Sequence, residues 1–243
     1  MQFDAFVPTR LVFGAGRLAE AGTLARSLGR RALIVTSRSA MARLGYTGRL
    51  QESLTAAGLQ SSVFQDLGPA PTTDNVDRAA DLAREFHADL IIGMGGGSAL
   101  DCAKAVAGVA PGRMTSADYL HGRAPIGPET LPLLAIPTTS GTGSEMNRSA
   151  ILVDPGQCQK DGIRSDFLFP RVALVDPRLT YDMPTAVTAQ TGFDTLTHAV
   201  ESYVSAKSQP LADVLALDAM ATVITELPLV LTQPGHEIGR AHV

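Results

Sequence analysis

Three stretches of this chain combine residue types that can hold a nucleotide or a metal ion. The first is Gly93-Met94-Gly95-Gly96-Gly97-Ser98, which follows an apolar run and opens a helical pattern. Glycines in such a turn let backbone N–H groups approach a phosphate closely, and a helix start adds a favourable dipole. Ser98 is placed to cap that helix, and Asp101 lies near its positive end. A tight strand-to-helix turn with no ligand would use the same glycines. The second stretch, Pro137-Thr138-Thr139-Ser140-Gly141-Thr142-Gly143-Ser144-Glu145, gathers hydroxyls and glycines after another apolar run. Such a loop suits hydrogen bonding to ribose, phosphate or amide at the carboxyl end of a strand; a plain polar loop has the same composition. In the third, Thr191-Gly192-Phe193-Asp194-Thr195-Leu196-Thr197-His198, Asp194 and His198 are four apart and share a helix face. A carboxylate with an imidazole suits Fe²⁺ or Zn²⁺, and a surface hydrogen bond between the two is the plain alternative.

Gly14-Ala15-Gly16-Arg17-Leu18-Ala19 also fits the dinucleotide pattern G-x-G-x-x-G/A. The apolar run before it is short, and Ser37 stands where an acidic ribose ligand is expected, about 20 residues on. An edge turn fits this segment better. His87, His121 and His236 read as solvated surface, and Cys102 as core.

The elements that must position these groups alternate. Apolar runs at 32–36, 88–93, 131–136 and 172–176 suit buried parallel strands. Between them, 74–86 carries Val76, Ala79, Ala80 and Ala83 on one helical face, and 99–109 has a similar stripe. The pattern predicts an α/β fold with a doubly wound sheet. From about Pro184 it changes: 185–204 and 211–227 read as consecutive helices with no strand between. The expected domains are 1–183, α/β and dinucleotide-binding, then 184–237, the start of an incomplete all-helical, metal-binding domain.

The bulk numbers narrow the partners. The chain has 243 residues, a net charge of −4, 5% aromatic residues and no Trp. That balance argues against nucleic acid and against an acidic membrane surface. Cys102 and Cys158 form no disulfide framework, which suits a reducing cytosol. The first residues lack the basic and apolar regions of a signal peptide, and no apolar stretch approaches the roughly 20 residues that span a bilayer. The expectation is a soluble cytoplasmic protein.

Taken together, in this order and spacing, the motifs resemble the iron-containing (group III) alcohol dehydrogenase family. The similarity runs from Phe6 to Pro234 and takes in Phe13-Gly14-Ala15-Gly16, the glycine loop continuing into Asp101-Cys102-Ala103-Lys104, the loop 137–145, Pro170 to Pro177, and the helix with Asp194 and His198. The resemblance implies the dehydroquinate synthase-like fold and a metal-dependent oxidoreductase passing hydride between an alcohol or aldehyde and NAD or NADP. It implies that Gly95, Gly96, Gly97 and Ser98 hold the pyrophosphate, and that Thr138, Thr139 and Thr142, with Lys160, lie along the nicotinamide half. Asp194 and His198 would be the first metal ligands, for Fe²⁺ or alternatively Zn²⁺. A homo-oligomer is implied for the full-length protein. Maleylacetate reductase and glycerol dehydrogenase share the fold and are the nearest alternative activities; a nucleotide-binding fragment without catalysis is a different class of alternative.

The chain departs from the family pattern in places. Many NAD-preferring members resemble one another in having Asp where Ser37 stands; Ser37-Arg38 neither accepts from a ribose hydroxyl as an acid would nor repels a 2′-phosphate, so NADP is admitted. Ala70 replaces a polar residue often found in the loop at 69–71. The family's further histidine ligands would lie on later helices. Residues 238–243, Ile-Gly-Arg-Ala-His-Val, match a translation of a common sequencing adapter. They are expected to be a non-native tail on a longer gene, leaving the chain inactive.

Overall fold

The computed structural model describes residues 2–233. Its larger unit comprises Pro8–Thr138 and Ser144–Asp176. Six strands of this unit form one all-parallel sheet: β1 (Arg10–Phe13), β2 (Arg31–Thr36), β3 (Gln60–Phe64), β4 (Leu90–Gly95), β5 (Leu133–Pro137) and β8 (Val172–Val175). β6 (Ser149–Asp154) and β7 (Gln159–Arg164) pair antiparallel as a separate ribbon. The helices here are α1 (Ala21–Arg26), α2 (Ala40–Arg43), α3 (Tyr46–Ala56), α4 (Thr73–Glu85), α5 (Gly97–Val109) and α6 (Ser116–Leu120).

The sheet order is β1-β8-β5-β4-β2-β3. The chain runs outward from β2 to β3, then returns to place β4 on the other side of β2. The direction of winding therefore reverses between β2 and β4, and the crevice outside the carboxyl ends of strands at such a point is where doubly wound sheets bind ligands. β4 and β5 are buried along their whole length, and β2 in all but its first residue. Burial on both faces explains why they read as unbroken apolar runs rather than alternating ones. The α/β expectation is borne out.

Local chemistry sets the helix starts. A reciprocal capping box opens α4: the Thr72 hydroxyl accepts from the Asn75 amide, and the Asn75 side-chain oxygen accepts from the Thr72 N–H. Val76, Ala79, Ala80 and Ala83 are its buried face, as the spacing predicts. α5 starts differently. Gly96 is its N-cap and Ser98 lies inside its first turn, so the expected Ser98 cap is not made; the Ser98 hydroxyl donates to the Pro69 carbonyl at 2.7 Å.

The edge turn after β1 answers the decoy fingerprint. Gly16 is left-handed, and its N–H and that of Leu18 both donate to the Asp176 carboxylate, each at 2.9 Å. Those amides are already satisfied, as an edge turn requires.

The smaller unit takes in Thr139–Gly143 and the chain from Pro177, with the N-terminal residues to Val7. It contains α7 (Thr185–Val204) and α8 (Pro210–Thr232), packed on each other. They cross closely at Gly192, where a Cβ would come within 2.5 Å of the Leu227 side chain. α8 corrects the expectation that nothing could span a bilayer: by length and composition it is long and apolar enough. Asp213, Asp218 and Glu226 interrupt the run in sequence, and only 22% of its most apolar window is buried. His236 and the tail 238–243 lie outside the described residues.

Candidate dinucleotide and metal sites

Gly95 ends β4 with φ +150°, and a Cβ there would stand 2.7 Å from the Ala99 side chain. Only glycine suits both the dihedral and the space. The chain then enters α5, whose first N–H groups have no acceptor within the helix. They lie at the reversal point of the sheet and carry no side-chain cap hydrogen bond. A phosphate fits such a helix start, by hydrogen bonds and by the dipole.

The neighbouring strand ends bring two more expected residues here. Thr36 pairs in register with Met94 and its hydroxyl donates to the Met94 carbonyl at 2.8 Å, so Ser37 lies beside the glycine turn. The Ser37 hydroxyl is enclosed and has no hydrogen-bond partner. On the other side the Thr138 N–H donates to the Gly95 carbonyl at 3.0 Å, and Thr138 is buried. Ser37, Gly95, Gly96, Gly97, Ser98 and Thr138 thus share the carboxyl ends of adjacent strands. Thr139 and Thr142 belong to the smaller unit, and Thr142 is exposed. Lys160 is exposed on β7, opposite Val153 of the ribbon rather than on the parallel sheet.

α7 carries Asp194 and His198 one turn apart. Their side chains are 43% and 50% exposed, with His198 Nε2 3.8 Å from Asp194 Oδ1. That is beyond a hydrogen bond and leaves both able to face one ion. Among the described residues no group of three or more His, Cys, Asp or Glu could hold a metal. The pair therefore fits as part of a ligand set, with donors of the right N/O type for iron.

Two polar features were not legible as such. His121, expected to be solvated surface, is mostly buried at the end of α6, and its Nε2 lies 2.7 Å from Asp154 Oδ2 on β6. Beneath the glycine turn, Lys104 is wholly buried on α5 and paired with Asp101 at 3.1 Å. Asp101 does not serve the positive end of its own helix. It accepts from the Ser144 hydroxyl at 2.5 Å and from the Ile151 N–H at 3.1 Å. Cys102 is core, as expected, and burial pushes its thiol well above the usual range.

Comparison with known proteins gives the family. Residues 8–177 match the family model described as iron-containing alcohol dehydrogenase, and 188–240 that of the family's C-terminal region. The chain belongs to the iron-containing alcohol dehydrogenase family. It is 37% identical over 224 residues to sulfoacetaldehyde reductase of Bilophila wadsworthia, covering 92% of this chain and 57% of that protein. It is 38% identical over 216 residues to long-chain-alcohol dehydrogenase 1 of Geobacillus thermodenitrificans, covering 88% of this chain and 54% of that one. The crystal structure of sulfoacetaldehyde reductase from Bifidobacterium kashiwanohense in complex with NAD⁺ superposes with a TM-score of 0.95 at 36% identity, covering all of this chain and 64% of that one. The chain thus spans little more than half the length of the curated relatives it matches.

Proposed function

We propose that this chain is the dinucleotide-binding part of a metal-dependent oxidoreductase that passes hydride between an alcohol or aldehyde and NAD or NADP. The observation that carries the reading is the glycine turn: a strand end that only glycine can form, opening a helix with uncapped amides where the sheet winding reverses. The NAD⁺-bound relative supports it. In this reading the N–H groups of Gly97 and Ser98 bind the pyrophosphate, and Gly95 keeps the approach clear. Ser37 lies at the adenosine ribose, and Thr138, Thr139, Thr142 and Lys160 lie along the nicotinamide half. Residues 1–183 form the cofactor domain and 184–237 belong to the helical one.

Asp194 Oδ1 and His198 Nε2 are the first ligands for Fe²⁺, with Zn²⁺ as the alternative metal. When bound, the ion supplies a Lewis acid at the substrate oxygen. The whole protein works as a homo-oligomer in the cytoplasm on small alcohols or aldehydes, and the 243-residue chain, with only a partial ligand set among its described residues, turns none over.

The test is a fluorescence titration of the 243-residue chain with NADH and NADPH, beside Gly96→Asp. Gly96 has an ordinary φ of −76° at the N-cap, where aspartate is favoured, so the variant folds. Its carboxylate then occupies the amides and repels phosphate. Binding by the wild type that the variant reduces more than about tenfold is expected, from the loss of charge-assisted hydrogen bonds. Equal affinity in both would sink the reading.

A further inference from the structure

The threonine-rich loop carries two glycines that are there for different reasons. Gly143 is left-handed, at φ +59°, with open space where a Cβ would stand. Gly141 has no positive φ, and a Cβ there would lie 3.0 Å from both the Cβ and the carbonyl oxygen of Thr191 and 3.2 Å from its Cα. The first glycine serves a dihedral that side chains avoid; the second serves proximity. At Gly141 the loop lies directly on the backbone of α7, within the smaller unit that holds both.

The place of that contact matters. Thr191, Asp194 and His198 follow one another at i, i+3 and i+7, so they form a single stripe along α7. The loop therefore rests at the head of the face that carries the metal pair, one turn before Asp194. The Thr191 carbonyl also accepts from the Thr195 hydroxyl at 3.1 Å, which ties the contact to the turn that holds Asp194. The Thr191 hydroxyl is turned back onto the Val187 carbonyl at 3.0 Å and stays within the helix. At the adjacent position Gly192 packs against Leu227 of α8. α7 is thus backed at the same level, and a side chain added at Gly141 must displace the loop by a few tenths of an ångström.

We infer that Gly141 is a positioning residue: by letting the threonine loop lie against the backbone of α7 at the head of the Asp194–His198 stripe, it sets the spacing between the nicotinamide half of the cofactor and the metal ion. The inference rests on the dinucleotide reading and the metal pair proposed above. It adds what holds the two at a fixed distance.

Nuclear relaxation in the 243-residue chain reads that spacing without turnover. Co²⁺, paramagnetic and bound more tightly than Fe²⁺ by nitrogen donors, is the metal probe. The C4 protons of bound NADH report on the nicotinamide, with the adenine protons as reference. His198→Ala gives the background from Co²⁺ held elsewhere, including on the pyrophosphate. The paramagnetic effect falls as the inverse sixth power of distance. In Gly141→Ala the site-bound part at C4 should therefore drop by about half, a steep sensitivity of the kind that a positioned reaction has to its own geometry. NADH and Co²⁺ affinities should stay within about twofold of the wild type. An undiminished C4 effect, a fall in NADH affinity beyond about twofold, or a variant that no longer melts as the wild type does overturns the inference and leaves the dinucleotide reading standing. So does a wild type whose C4 protons relax no faster than those of His198→Ala. A wild type that binds no NADH overturns that reading and this inference with it.

Discussion

Arg38 donates to Asp66 across 2.6 Å, joining the loop after β2 to the loop after β3. The other Asp66 oxygen takes Arg78 at 2.5 Å. Arg78, then Arg38, hold the Asp66 carboxyl below its ordinary range. Asp66, tied to the residue after Ser37, is therefore engaged by two guanidinium groups, and the three side chains together carry an excess positive charge. Ser37→Asp should shift the ratio of NADH to NADPH affinity toward NADH by about 1–3 kcal/mol, the scale of a hydrogen bond to a charged group. Asp66→Asn, which releases both arginines, should shift it the other way. Ratios unchanged in both variants would place the 2′ position elsewhere.

Gly95 and Gly96 should respond differently to a side chain. Gly95→Ala forces a side chain into a dihedral that disfavours it and against Ala99. It should lower stability in urea by about 1–3 kcal/mol. Gly96→Asp, at an ordinary N-cap dihedral, should stay within about 0.5 kcal/mol of the wild type. Comparable losses in both would mean that the turn tolerates no side chain at either position.

The His121–Asp154 contact makes acid stability a local readout. The His121 hydrogen bond is the main cause that holds the Asp154 carboxyl below its ordinary range. A folded value depressed below the unfolded one contributes stability above the ordinary carboxylate range, lost as pH falls through the folded value. The melting temperature should therefore drop between about pH 5 and pH 3, and the drop should be shallower in Asp154→Asn. The same slope in wild type and variant would show that the contact carries none of it.

Activity should separate from cofactor binding. The 243-residue chain is expected to bind Fe²⁺ or Zn²⁺ weakly and to reduce no NAD(P) with alcohols. Exposed Phe193, Val214, Leu215 and Ile224 on α7 and α8 should also make it prone to association, visible in light scattering. In the longer protein, Asp194→Ala or His198→Ala should abolish turnover. Tight one-to-one metal binding with alcohol-dependent reduction by the 243-residue chain would show that its ligands come from elsewhere.

Much of this was legible because burial on two faces writes itself as unbroken apolar runs, and β2, β4 and β5 are such strands. α7 and α8 announced themselves by length. The ribbon β6–β7 was harder: Ala150, Leu152 and Asp154 alternate inward over six residues before Pro155-Gly156, a short signal beside long helices. Ser98 was misplaced because capping depends on where the helix begins, and two glycines ahead of it start the turn earlier. His121 and Lys104 were opaque for a different reason. Their partners, Asp154, Asn147 and Ser149, lie 33 to 45 residues away, and no local pattern reports a contact made by the folding of distant segments.

The turn after β1 and the turn after β4 are both glycine bends at the end of a parallel strand, with backbone amides of a kind that suits an anion. At the first, Asp176 plays the anion. That internal stand-in makes the turn deaf to nucleotides while riveting the sheet's edge strand to the end of β8. Replacing Asp176 with alanine would thus be expected to loosen an edge and, in the same stroke, to create a second place on the sheet where free phosphate could settle.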